Sequence, residues 1–348
     1  MRERGPDAWA TGPSDATLLR PAPSRAGLRS LAGAAEPLAR FRPPFEFGDF
    51  FAPEDTLLCV LATEWALARH AAERGAPPAR LVELTCGGAV VALAPLDRWP
   101  VLRAWGADVD DAAVARAHRN AAALGHARRA RFAVRGLFDR RLPAWLRRRA
   151  PDVVACNPPY VPEPPDAPNA LVAGAGPDGA RHPRRTLAVC ARADVPRLVL
   201  SWCSLGDPAG VARAAARRGY ALEALWAAAV ADGEYTGGAH AYYRTLSTAF
   251  LDESEATRRA LAPDGAARFG YLLLAGSFVR TDDAGRARAG VRLVGRLSRG
   301  FARHGLRTLS SLSGRGGAPS DAPPLHAYVC DRWDELALRQ LAHGPAAG

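Results

Sequence analysis

The sequence predicts an α/β fold, a Rossmann-like doubly wound sheet that is mostly parallel with a late antiparallel strand. Three observations predict it. From residue 80 onward, short apolar runs alternate with helical stretches, which implies βαβ units and right-handed crossovers. The residues with chemical capability fall just after those runs, where an open parallel sheet binds its ligands. Finally, "DVVACNPPYVPEPP", residues 152–165, ends an apolar run in Asn157 and two consecutive prolines. Prolines cannot donate to a sheet ladder, so a core strand stops there.

The elements follow in order. "ARLVELTC" is a strand, and "GGAVVALAPLDR" is a glycine turn entering a helix. "VLRAWGADVD" is the second strand, and "DAAVARAHRNAAALG" is an alanine-rich helix stopping at Gly125. "ARFAVRG", "DVVACN" and "VPRLVLSWCS" are the third to fifth strands. "DPAGVARAAARRG" is a helix with Asp207 as its N-cap. After Gly219 a strand candidate, a Gly- and Tyr-rich loop and a helix precede the late strand "RFGYLLLAGSFVR".

Upstream, "FRPPFEFGDFFAPEDTLLCVLATEWALARHAAERG" gives an aromatic loop and a helix. Pro53, Glu54, Asp55 and Thr56 suit its first turn, and it ends near Gly75. The expected organisation is a disordered leader at 1–40, rich in Ala, Gly, Pro, Ser and Arg, then this loop and helix at 41–75. The main domain follows at 76–280, with a loop insertion at about 231–265. An appendage at 281–348 holds a helix at 289–304, a linker at 313–324, a strand near "HAYVCD" and the final helix "RWDELALRQLAH".

Composition narrows the function. The 348 residues are 48% apolar, enough for a sizeable core. No run approaches the roughly 18 apolar residues of a membrane span. No apolar stretch follows Arg2 and Arg4, so no secretory signal is read, and the chain is expected to be soluble and cytoplasmic. Six cysteines lack C-x-x-C spacing and the eight histidines form no i, i+4 pair, so no metal is expected. The net charge of +11 comes from 46 arginines with no lysine, the mark of a GC-rich genome more than of a polyanionic partner. Arginines at 128–149 read first as a solvated face.

The elbow at 157–160 has a chemical reading. A planar amine or amide nitrogen is a poor nucleophile because its lone pair is delocalised. The Asn157 side-chain oxygen and the Pro158 carbonyl would accept hydrogen bonds from such an NH2. Two acceptors favour the pyramidal geometry that aims a lone pair at an electrophile. The prolines keep the carbonyls in place, and Tyr160 offers a flat wall. At the earlier strand ends, Glu83 precedes a turn containing Gly87 and Gly88. Asp108 lies 25 residues further on, placed to accept from ribose hydroxyls.

Together these pieces resemble the class I S-adenosylmethionine-dependent methyltransferases over roughly residues 45–225. Within them the chain is most similar to the N5-glutamine methyltransferases that modify peptide-chain release factors. The segments are "FFAPEDT", "VELTCGGAVVALA" with "GADVDDAAVARAHRNAAALG", "DVVACNPPYVP", and "ALVAGAGPDG". The resemblance implies S-adenosylmethionine as cofactor, held by Glu83, Thr85, Gly87, Asp108 and Asn157. It also implies an acceptor held by the catalytic residues Asn157, Pro158 and Tyr160. The partner it implies is a protein, a release factor or another translation protein, with no membrane and no metal.

The chain departs from the family pattern. Of three usual loop glycines only Gly87 is clear, with Thr85 and Ala89 in the flanking places. The usual Gly-Asp before Leu-Phe reads Arg135-Gly136-Leu137-Phe138, with Asp139 nearby. Two other readings stay open: a nucleic-acid methyltransferase acting on an exocyclic amine, with the 128–149 arginines on phosphates, and a non-catalytic binding module. Cys203 and Ser204, after the fifth strand, read as packing and a cap. Glu234, Tyr235, His240 and Tyr242 suggest either a lid or an exposed loop.

Overall fold

The computed structural model describes residues 27–48, 51–164, 174–232, 236, 239–246, 250–251, 269–313 and 322–343. Ten strands form one sheet: β1 Arg29–Ser30, β2 Arg80–Leu84, β3 Arg103–Asp108, β4 Ala130–Val134, β5 Val153–Cys156, β6 Arg197–Cys203, β7 Tyr220–Ala231, β8 Phe250–Leu251, β9 Gly270–Arg280 and β10 Leu325–Cys330. Their order is β1-β10-β7-β9-β6-β5-β2-β3-β4, with β8 beside β9. Only β9 runs antiparallel to the strands on its two sides, β6 and β7. The predicted late antiparallel strand is therefore present, at residues 270–280.

The centre of the sheet is apolar on both faces, as a sheet covered by helices requires. All four residues of β5 and all seven of β6 are buried. The helix α1, Pro53–Arg74, packs across β5, β6, β7 and β9. Beside it on that face lie α2, Val90–Leu93, and α3, Asp111–Ala123. The other face carries α4, Leu142–Arg149, α5, Arg181–Arg192, and α6, Pro208–Ala216. A short helix, α7, spans His240–Thr245. Asp207 caps α6 by accepting from the Gly210 N–H at 2.7 Å, as its position predicts. The helices α4 and α5 escape the sequence reading because arginine fills their exposed faces.

Two expectations about the chain ends need correction. Composition predicts a disordered leader to about residue 40, but residues 27–40 are packed. Leu28, Leu31 and Leu38 are buried, and β1 pairs in parallel with β10. Alanine, proline and arginine hide this thin apolar pattern, which becomes stabilising only when β10 offers an edge. Residues 1–26 lie outside the described residues.

The segment 281–348 is likewise built into the fold. Asp283 caps α8, Ala284–His304, which begins five residues earlier than expected. This helix packs on α6 and β7, and α9, Leu306–Ser313, packs on β10. The strand β10 extends the sheet beside β7, and α10, Arg332–His343, packs on α1. Among the described residues no helix is long and apolar enough to cross a membrane.

Candidate active site

The carboxyl ends of β2, β3 and β5 open into one cavity of about 790 Å³, which all the sequence-predicted site residues line. The loop after β2 makes its floor. Three of its residues adopt the left-handed conformation, at Thr85 (φ 54°), Gly87 (φ 48°) and Ala89 (φ 66°). These are the places where the resembling family has glycine. Two of the three are not glycine and resist this conformation, at a cost of about 1–2 kcal/mol each. Nothing lies within 4 Å of where a Gly87 Cβ would stand, so the backbone there is open to a ligand.

Glu83 and Asp108 divide two tasks. Glu83 is buried, and its carboxyl accepts from the Ala92 N–H at 2.8 Å, holding the first turn of α2. Burial drives that carboxyl well above the usual range, although the Ala92 hydrogen bond opposes the shift. Asp108 is half-buried at the end of β3. It accepts from the N–H groups of Gly87 at 2.9 Å and Asp110 at 3.1 Å. A carboxylate has about four acceptor positions, so Asp108 retains capacity for a ligand.

The elbow after β5 is held from two sides. Thr85 Oγ1 donates to the Asn157 backbone oxygen at 3.2 Å. Asp55, in the first turn of α1, lines the same part of the cavity. Asn157 Oδ1 is buried without a hydrogen-bond partner among the described residues. The Tyr160 hydroxyl donates to Asp55 Oδ2 at 2.5 Å. Burial pushes the Asp55 carboxyl up, while the Tyr160 hydroxyl and then the nearby Asn157 side chain pull it back.

Sequence reasoning missed three parts of the wall. Phe41, Phe45, Phe47 and Phe51 form a ladder with neighbouring centroids 4.7, 4.9 and 4.2 Å apart, and its last two rings reach the cavity. The signal was visible as the spacing of aromatics in "FRPPFEFGDFF". Glu54, beside Asp55, lines the cavity together with Glu335 and Arg339 of α10. Burial and then the Glu335 carboxylate push Glu54 up to about 8. No local pattern linked these residues, which lie some 280 positions apart. Phe138, 46% exposed, and Val109, 75% exposed, are large apolar side chains left open where the cavity passes the end of β3. His182 lies edge-on to Phe138 at 5.4 Å.

The remaining candidates sort plainly. Asp139 lines the cavity but is paired with Arg135 at 2.8 Å. Cys203 is buried, with its thiol on the Tyr160 carbonyl at 3.6 Å and its pKa pushed by burial to about 12, far from a nucleophile's. Ser204 Oγ accepts from the Leu272 N–H, a packing role. Tyr242 donates to the Pro177 carbonyl, and His240 Nε2 lies 3.2 Å from Asp232 Oδ2. Glu234 and Tyr235 lie outside the described residues. Within 128–149, Arg129, Arg131, Arg147 and Arg149 donate to backbone carbonyls of their own fold.

No family model and no curated protein matches the chain. Solved structures similar to it include TrmN from Thermus thermophilus, at 15% identity and a TM-score of 0.37. That alignment covers 64% of this chain and 48% of the other, so this chain spans about half its length. A ribosomal protein L11 methylase from Lactobacillus delbrueckii subsp. bulgaricus aligns at 13% identity and a TM-score of 0.37, over 69% of this chain and 83% of the other. An RNA methyltransferase from Salinibacter ruber, in complex with S-adenosyl-L-homocysteine, aligns at 15% identity and a TM-score of 0.27, over 40% and 74%. At these scores the likeness carries no weight for the chemistry.

Proposed function

We propose that the protein transfers a methyl group from S-adenosylmethionine to a planar NH2 nitrogen, and that this nitrogen is a protein glutamine side-chain amide. One observation carries the reading. Asn157 Oδ1 is a buried acceptor with no partner among the described residues, at the end of a central strand and in the same cavity as Asp108 and Gly87. Leaving such an atom unsatisfied costs about 1–3 kcal/mol, a cost that a donating ligand would remove.

The residues fit the cofactor. Asp108 has spare acceptor capacity for ribose hydroxyls, and Gly87 leaves its backbone accessible. Val109 and Phe138 present apolar surface for a purine. Glu83 would hold the loop and not touch the ligand, because its carboxyl is engaged with α2. When bound, the sulfonium supplies an electrophilic methyl group, so the protein needs positioning more than a strong base. Asn157 Oδ1 and the Pro158 carbonyl would accept the two N–H groups and orient the nitrogen lone pair. Tyr160, fixed through its hydroxyl, would flank the planar group.

The acceptor end supports an uncharged amide over a nucleic acid. Glu54, Asp55 and Glu335 line it with Arg339 as the one cation beside them among the described residues, so it lacks the cluster of positive charge that phosphates need. Several of the 128–149 arginines are already engaged with backbone carbonyls. Calorimetric titration with S-adenosylmethionine tests the first part of the reading; no binding at millimolar cofactor leaves a non-catalytic module. Incubating the protein and cofactor with a glutamine-containing release-factor peptide, and with single-stranded DNA or RNA, tests the second. One added methyl on the peptide, insensitive to salt, is expected. Methylation of the nucleic acid alone, falling steeply with salt, would overturn it.

A further inference from the structure

An anion entering this cavity has few places to go. Seven carboxyl side chains line it, against two arginines, Arg116 and Arg339, among the described residues. Arg339 is engaged, donating to Glu335 at 3.2 and 2.9 Å. Arg116 is not. Only 20% of its side chain is exposed, yet the nearest carboxylate among the described residues, that of Glu46, stands 3.9 Å from Nε, beyond hydrogen-bonding range. Glu46 is itself held by Arg119 at 3.0 and 2.6 Å. A guanidinium carries five N–H donors in a planar fork, and leaving it largely buried without a partner has a cost that an anion would offset. The fold fixes where it stands. Ala113, Arg116 and Asn120 share one face of α3. Asn120 Nδ2 donates to the carbonyls of Gly88 at 2.9 Å and Glu46 at 2.8 Å, so that face borders the loop after β2, beside the Asp108–Gly87 contact. Gly48, in the left-handed conformation (φ 90°), makes room for the guanidinium, since a Cβ there would collide with Arg116 Nη1.

We infer that Arg116, its guanidinium laid across Gly48, binds the carboxylate on the amino-acid portion of the cofactor. The inference rests on the cofactor reading above and assigns a partner to the one negative charge on that ligand, which Asp108, Gly87, Val109 and Phe138 do not meet. A carboxylate fits the fork through two parallel N–H···O bonds. An acidic side chain of the methyl acceptor has the same chemistry, and the test separates the two sources.

Calorimetry on the full chain provides the test, comparing S-adenosylmethionine with its decarboxylated form, which keeps the nucleoside, the sulfonium and the amine. Wild type should bind the complete cofactor about tenfold or more tighter, the scale of a charge-assisted pair. In Arg116→Gln that gap should close to within about twofold, while affinity for the decarboxylated form stays within about threefold of wild type. Arg116→Lys keeps the charge but loses the fork, so its gap should be intermediate. It also carries the test where the glutamine variant fails to fold. A wild type that binds both forms equally overturns the assignment and leaves the methyl-transfer reading standing. Equal weakening of both forms in Arg116→Gln overturns it too, because Arg116 would then support the fold and not the carboxylate. A gap as wide as wild type in both variants, with binding lost instead to a peptide bearing an acidic residue beside its glutamine, gives the carboxylate to the acceptor and ends the proposal. Failure of both forms to bind wild type would remove the methyl-transfer reading and this inference together.

Discussion

The carboxylate of Asp108, at the end of β3, accepts a hydrogen bond from the backbone N–H of Gly87, in the loop after β2, at 2.9 Å. One acidic side chain thus shapes the neighbouring strand's loop while keeping room for a ligand. Asp108→Ala should weaken S-adenosylmethionine binding by about 1.5–3 kcal/mol, the range for charge-assisted hydrogen bonds. Losing the Gly87 contact adds a stability cost of about 1 kcal/mol. Calorimetry and thermal melting on one preparation measure both effects; unchanged cofactor affinity would place the ribose elsewhere.

Asn157→Ala should leave cofactor affinity intact and lower methyl transfer by about 100-fold or more, as deletion of one preorganised polar group does. Its oxygen has no partner to lose among the described residues, so the melting temperature should hardly fall. A variant that melts early yet turns over normally would end the clamp reading.

Glu54 makes stability depend on pH. Its pKa is near 4.5 when unfolded and about 8 when folded, with burial the first cause and Glu335 the second. Below about pH 4.5 both states hold the proton. Between about 4.5 and 8 only the folded chain holds it, so this contribution is lost as pH rises through that window and is gone above 8. Each pH step of one across that window is worth about 1.4 kcal/mol, so the whole effect reaches a few kcal/mol. Glu54→Gln should therefore melt higher than wild type at pH 9 by a wider margin than at pH 5. Parallel melting curves across that range would contradict it.

The loop strain gives a test by sign. Ala89→Gly relieves a left-handed alanine and loses one buried methyl, so stability should change by less than about 1 kcal/mol or rise. Ala92→Gly, equally buried but inside α2, should cost about 1 kcal/mol or more. Chemical denaturation of the two variants compares them, and equal losses would mean that Ala89 is not strained.

At the opposite edge of the strands, Arg197 at the start of β6 is 2% exposed and grips Glu223 through two hydrogen bonds of 3.0 and 3.1 Å. Glu73, its second partner, adds a third hydrogen bond at 3.0 Å. Glu223→Ala should cost about 3 kcal/mol, because it leaves a buried guanidinium with only its outer partner. Cofactor affinity should not move, since the pair is remote from the cavity. Urea denaturation with and without S-adenosylhomocysteine separates the two effects.

The order of strands β2 to β6, the placement of Glu83, Asp108 and Asn157 at strand ends, and the elbow itself were all legible in the sequence. Each rests on local physics: alternation of apolar runs, a glycine turn, and prolines that must end a ladder. The positive φ values at Thr85 and Ala89 were less legible, because nothing local shows that the loop keeps a glycine's course without the glycines.

Tertiary structure alone decided the acceptor end. Asp55 meets Tyr160 from about a hundred residues away, and Glu335 and Arg339 reach the cavity because β10 extends the sheet and lays α10 against α1. Residues 27–40 are packed for the same reason, since β1 has an edge to pair with only once β10 is in place. Local sequence determines which segments become strands, helices and turns, because those depend on neighbours along the chain. Which distant side chains share a cavity depends on how the elements pack, and that is set by burial across the whole sheet.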